Sequence, residues 1–211
     1  MGNLGTLHHE LGYAAEARAA YEAALLIHRE TGSLQQEAIT LCNMGMLGKE
    51  QGNHEEAAAH YRASLTIHRE TGDRRGEGVV LGQIGDLHQT LGEFALAQAN
   101  YDAALRIHRE VGNRRFEGGV TASLGELLAR QGQIEAGLQM LEAGERLLRQ
   151  VDDPLYVAKL LCVKGSIVLA GGNADAARSA LAEAESISAR LGAEPASDLG
   201  QQIETLRRSL G

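Results

Sequence analysis

Apolar residues recur at three- and four-residue spacing along most of the chain, and glycine interrupts the pattern at regular intervals. The clearest stretch carries Val80, Leu81, Ile84, Leu87 and Leu91, is broken by Gly92, and resumes with Phe94, Ala97, Tyr101, Ala104, Leu105 and Val111. Such spacing lines one face of a helix. It predicts a first helix over about 74–91 and a second over about 93–111, turned back on the first at the glycine.

The same pair recurs every forty residues. Gly12, Gly52, Gly92, Gly132 and Gly172 form one column, and Gly5, Gly45, Gly85, Gly125 and Gly165 form another. Ala17, Ala57, Ala97 and Ala177 form a third, with Gly137 in the fourth place, and Tyr21, Tyr61 and Tyr101 give way to Leu141 and Leu181 in the next. Ile-His-Arg-Glu opens at Ile27, Ile67 and Ile107. A fixed period of this length marks a repeat array. The expected organisation is all-α: five antiparallel helix pairs over 1–32, 33–72, 73–112, 113–152 and 153–192 as one solenoid, closed by a capping helix over 195–210. The first unit starts almost at its Leu4-Gly5 pair, as though cut from a longer chain.

Between units, Gly32, Gly72, Gly112 and Gly192 stand where a helix ends in the left-handed conformation; Ser33, Asp73 and Asn113 follow the first three as capping residues, and Asp153 fills the same column ahead of Pro154. Ser33 with Gln36 has the spacing of a capping box. Gly45, Gly85 and Gly125 fall inside helices, where glycine costs about 1 kcal/mol relative to alanine. Their recurrence predicts close approach of the second helix, with the Ala97 column as the other side of the contact.

Composition narrows the function classes. The 211 residues carry a net charge of −8, only 3% aromatic residues and no Trp, and no apolar run long enough to cross a membrane. Net negative charge opposes nonspecific attraction to nucleic acid and to anionic membranes. With no signal sequence, the chain is expected in the cytoplasm. Cys42 and Cys162 share a column three repeats apart, roughly 30 Å if equivalent helices are ~10 Å apart, and are expected as free thiols.

Leu81-x2-Ile84-Gly85-x2-His88, then Ala97-x3-Tyr101 and Ala104, resembles the tetratricopeptide repeat. The usual Trp is Leu41, Leu81, Thr121 or Leu161 here, and Arg29, Arg69, Arg109 and Arg149 replace the repeat-ending Pro. The longer period is similar to the repeats of Partner-of-Inscuteable-type adaptors and of arrays in bacterial signalling proteins. The resemblance implies a right-handed superhelix whose first helices line a concave, non-catalytic groove for a protein or peptide.

Carried onto this sequence, the resemblance places Asn43, Met46, Arg75, Gln83, Asp86, Arg115, Ser123, Glu126, Arg130 and Lys159 on that groove. Asn3, Asn43 and Gln83 occupy the column from which amides of the family grip a peptide backbone, since an amide donates and accepts at once. Ordinary solvated polar residues on a helix face remain the alternative. Arg74 and Arg114 each precede a glutamate by three residues, Glu77 and Glu117, and can pair with it. That leaves Arg75 and Arg115 freer to face the groove, either in structural ion pairs or as anchors for acidic groups of a partner.

His28, His68 and His108 form a column, but neighbours one repeat apart are too distant to share a metal, and they read as surface or interhelical residues near helix ends. No phosphate-binding glycine loop or nucleophile motif occurs, so neither cofactor nor catalysis is expected. Two function classes follow: an interaction scaffold for a protein or peptide with acidic groups, or a self-associating spacer that uses the apolar N-terminal end, as a segment of a larger bacterial signalling protein.

Overall fold

The computed structural model describes residues 2–195 and 197–211, without the side chains of residues 2, 3 and 10; the amide of Asn3 lies outside the described ones. The described residues fold into helices joined by short turns, in two compact units, 1–112 and 113–211. Unit 1 contains α1 (Gly2–Glu10), α2 (Ala14–Thr31), α3 (Leu34–Glu50), α4 (His54–Glu70), α5 (Arg74–Thr90) and α6 (Phe94–Glu110). Unit 2 contains α7 (Arg114–Arg130), α8 (Ile134–Gln150), α9 (Pro154–Ala170), α10 (Ala174–Leu191) and α11 (Asp198–Leu210). Consecutive helices pair, and within each unit a second helix also packs on the following first helix, as α2 does on α3, α4 on α5 and α8 on α9. This is the all-α pattern of repeated helix pairs that the forty-residue period predicts.

The turns follow from backbone chemistry. At the end of α4, Gly72 adopts φ +69, and the amide of Asp73 then reaches back to the carbonyl of His68 at 2.8 Å, satisfying one of the orphan groups of the helix end. Asp152 holds the equivalent left-handed position between α8 and α9 with φ +52, a conformation that a short polar side chain tolerates better than most. Asp73 and Asp153 accept from the amides of Gly76 and Tyr156 at 2.9 and 3.2 Å, as N-caps should. Ser33 does not: its hydroxyl pairs with Thr31 Oγ1 at 2.9 Å, so the capping box read at Ser33 and Gln36 is not formed.

The helix-interior glycines admit rings. A Cβ on Gly5, Gly45 or Gly85 would lie 2.6, 2.5 or 2.5 Å from the ring of Tyr21, Tyr61 or Tyr101, each fully buried. The tyrosine column, rather than the alanine column, is therefore the other side of the contact in the first three repeats. Ala57 instead lies opposite Gly48, where an added Cβ would meet it at an ordinary 3.5 Å. In the fourth repeat the tyrosine becomes Leu141 and the alanine becomes Gly137, and the backbones themselves close up. A Cβ on Gly125 would there stand 2.7 Å from the Gly137 carbonyl oxygen, and one on Gly144 would stand 2.8 Å from that of Gly118. In the fifth, Leu206 of α11 fills the space over Gly165, and Leu199, Ile203 and Leu206 are buried against α9 and α10.

Two further columns acquire a role in three dimensions. The arginines that replace the repeat-ending proline clasp the next first helix: Arg29 Nε meets Glu37 at 2.8 Å and Arg69 Nε meets Glu77 at 3.0 Å. Val157 occupies the glutamate position after Arg149, which pairs with Glu145 and Glu183 instead, at 2.8 and 2.6 Å. Of the histidine column, His28 is half-buried, while His68 and His108 take the interhelical place, at 3% and 0% exposure. Gly76 and Gly78 at the start of α5 make room for them, since a Cβ there would lie 2.2 and 2.7 Å from the two rings. His68 Nδ1 lies 3.0 Å from Asp73 Oδ2.

Gly85→Ala and Gly48→Ala separate packing from helix propensity. The first drives a methyl into a buried ring held by hydrogen bonds and should lower stability by about 1–3 kcal/mol. The second adds a methyl at ordinary contact distance and should raise it by up to about 1 kcal/mol. Thermal unfolding followed by circular dichroism should show midpoints displaced in opposite directions.

Candidate functional site on the first-helix faces

In unit 1 the first helices α1, α3 and α5 are neighbours, and in unit 2 so are α7, α9 and α11. Side chains of these helices that are not taken up by a second helix form the candidate surface of each unit.

In unit 1, Asn43 and Met46 lie on α3, and Arg75, Gln83 and Asp86 lie on the neighbouring first helix α5. Asn43 and Gln83 are half-buried at equivalent positions, and Asn43 Nδ2 reaches Thr6 Oγ1 on α1 at a long 3.5 Å. Met46 is partly buried against the cluster around Tyr61. Asp86 is held from within: it accepts a 2.7 Å hydrogen bond from the Tyr101 hydroxyl and lies 3.9 Å from Lys49 Nζ, while the same hydroxyl meets Gln89 Oε1 at 3.1 Å. Arg74 pairs with Glu77 and, at 3.0 Å, with Glu110, whose carboxyl it holds below the usual range. Arg75 is exposed and has no ion pair among the described residues.

Unit 2 is arranged differently. Arg114 meets Glu117 at 3.0 Å. Arg115 Nε lies 2.5 Å from Asp153 Oδ2, and its guanidinium stands 5.2 Å from the centre of the Tyr156 ring. Lys159 approaches the same ring at 5.6 Å and meets Asp198 of α11 at 2.5 Å. Cation and ring attract each other through the ring quadrupole. Ser123 and Glu126 on α7 are half-buried, and Arg130 is exposed at its end. Tyr156, Asp153 and Asp198 do not stand out in the sequence as partners of these cations. The one available signal was the spacing of an acidic capping residue 38 positions after Arg115.

Both cysteines are free and buried. Burial pushes the Cys42 thiol up to about 12, against a small opposing pull from Lys49, and the Cys162 thiol up to about 11, helped by Asp198 and Glu185. Among the described residues no three His, Cys, Asp or Glu side chains gather as metal ligands, and no helix is long and apolar enough to cross a membrane.

The fold and its first-helix faces define a repeat protein of antiparallel helix pairs. The family model described as tetratricopeptide repeat matches residues 1–70 and 36–110, together just over half of the chain. The chain belongs to the tetratricopeptide repeat family. No curated protein matches it.

Among solved structures, the chain is similar to the apo form of RapI, with a TM-score of 0.75 and 18% identity over 99% of this chain and 82% of that one. It is also similar to BtubC (BKLC) from P. vanneervenii, with a TM-score of 0.68 and 18% identity over 96% and 84% of the two chains. A Rap protein complexed with competence and sporulation factor aligns with a TM-score of 0.72 and 12% identity, over 99% of this chain and 63% of that one. At these identities the likeness is one of fold.

The raised thiol pKa values predict chemical silence. At pH 8, a thiol with a pKa of about 12 is ionised to about one part in ten thousand, and only the thiolate attacks. Neither cysteine should react with a chromogenic disulfide reagent in the native protein. Both should react in guanidinium chloride.

Proposed function

We propose that the chain is a cytoplasmic, non-catalytic interaction scaffold that takes a peptide or protein segment with acidic groups on its first-helix faces. The observation that carries this reading is the exposed, unpaired Arg75 on α5, on the same side of the helix as Gln83 two turns on, with Asn43 at the equivalent position of α3. An exposed cation held on a helix offers a carboxylate a partner without first breaking an ion pair. The two amides supply donors and acceptors for a backbone laid across them. Family membership supports the reading, and the complex of the structurally similar Rap protein is consistent with it.

Arg115 and Lys159 play a lesser part in this function, because an incoming acid would have to displace Asp153 or Asp198. The test compares capture of a partner from the source cell by the chain and by its Arg75→Glu and Arg115→Glu variants. The Arg75 variant should lose capture with its helicity unchanged. The Arg115 variant should keep capture but unfold at lower temperature, since it sets a glutamate against the buried Asp153. Undiminished capture by Arg75→Glu would remove this face from the function.

A second reading, self-association, is favoured by the apolar N-terminal end. Leu4 and Leu7 are each 50% exposed, whereas their counterparts one repeat on, Met44 and Leu47, are 7% and 2% exposed beneath α2. Leu26 adds a further exposed side chain, at 60%. Light scattering across a concentration series decides it. A mass that rises with concentration, and no longer does so in a Leu4→Lys, Leu7→Lys variant, is the expected result if the end is an interface; a constant monomer mass excludes it.

A further inference from the structure

The unit 1 face carries more information than a cation beside two amides. Arg75, Val79 and Gln83 follow one another at four-residue intervals on α5, so they share a side of the helix and are spaced about 6 Å apart along it. On α3, Gln35, Ile39 and Asn43 hold the equivalent positions. The two helices therefore present three rows: a basic and polar row of Arg75 and Gln35, an aliphatic row of Val79 and Ile39, and an amide row of Gln83 and Asn43. Ile39 is 48% exposed, a large apolar side chain left open on this face, and Val79 is half-buried. The aliphatic row belongs to unit 1, because the same column carries Gly119 and Lys159 in unit 2.

Spacing and charge limit what such a surface accepts. In an extended peptide, side chains on one side recur at every second residue, about 6.6 Å apart, close to the interval between rows. The charges along the face are uneven. Arg75 stands open at one end, while Asp86 and Glu50 lie beyond the amide row, with Lys49 and His9 already against them. An acidic side chain is attracted to the Arg75 end and finds Lys49 already opposed by Asp86 at the other.

We infer that this face reads an extended peptide segment in which an acidic residue and an aliphatic residue are separated by one position. The acid meets Arg75, the aliphatic side chain lies in the row of Ile39 and Val79, and the backbone beyond reaches Asn43 and Gln83. The inference rests on the scaffold reading and specifies its ligand.

The test titrates the full ¹⁵N-labelled chain with three acetylated, amidated pentapeptides, Gly-Glu-Ser-Leu-Gly, Gly-Glu-Leu-Ser-Gly and Gly-Lys-Ser-Leu-Gly, and follows amide shifts by NMR. The first should perturb α3 and α5 and bind at least about three-fold more tightly than the other two, the scale of one exposed ion pair. In an Arg75→Glu chain, the order of the Glu-Ser-Leu and Lys-Ser-Leu peptides should invert, an outcome that loss of folding cannot produce. If all three peptides perturb α3 and α5 equally, the scaffold reading stands and the acid-and-spacing inference fails. If none perturbs those helices, both fail.

Discussion

Unit 1 depends on the seating of a tyrosine ring where the facing helix has no side chain. With Tyr21, Tyr61 and Tyr101 fully buried over Gly5, Gly45 and Gly85, the approach of each helix pair is set by a ring thickness and leaves no room for a methyl group. That contact also settles which residues are left to a partner. The buried side of α5 takes Val80, Leu81 and Gly85, so the side carrying Arg75, Val79 and Gln83 is turned away from it. The Tyr101 hydroxyl then draws Asp86 and Gln89 into support of the core.

Unit 2 solves the same packing problem with less volume. Where Leu141 and Gly137 replace the ring and the alanine, α7 and α8 approach backbone to backbone, and in the last pair a leucine from the capping helix fills the equivalent space. Two of its cations, Arg115 and Lys159, approach the same Tyr156 ring and are each set against an aspartate. The two units share a repeat but present different chemistry: one leaves Arg75 open to solvent, and the other sets Arg115 and Lys159 each against an aspartate.

The repeat itself was legible in the sequence because each glycine column has a local cause, either a left-handed turn or a steric limit inside a helix. The pairings of Arg74 with Glu77 and of Arg114 with Glu117 were legible for the same reason, since residues three apart on a helix are neighbours. What could not be read was contact between helices. The partner of Gly85 is the ring sixteen residues on rather than the alanine twelve on, and periodicity alone does not distinguish two columns of the same second helix. The aspartate against Arg115 belongs to the following repeat, and the burial of His68 depends on Gly76 across a turn. Gly76 stands outside the glycine columns, and that departure was the signal.

The clasp of Arg29 with Glu37, repeated by Arg69 with Glu77, bears on how such an array changes length. Each clasp joins the end of one repeat to the start of the next, so a second copy of residues 33–72 inserted behind the first would arrive with an arginine and a glutamate already in phase, and with its ring and glycine matched. A duplicate of 153–192 would bring Val157 in place of the glutamate and Ala189 in place of the arginine. The clasped repeats are therefore the segment in which a tandem duplicate would arrive with its interface ion pair already in place.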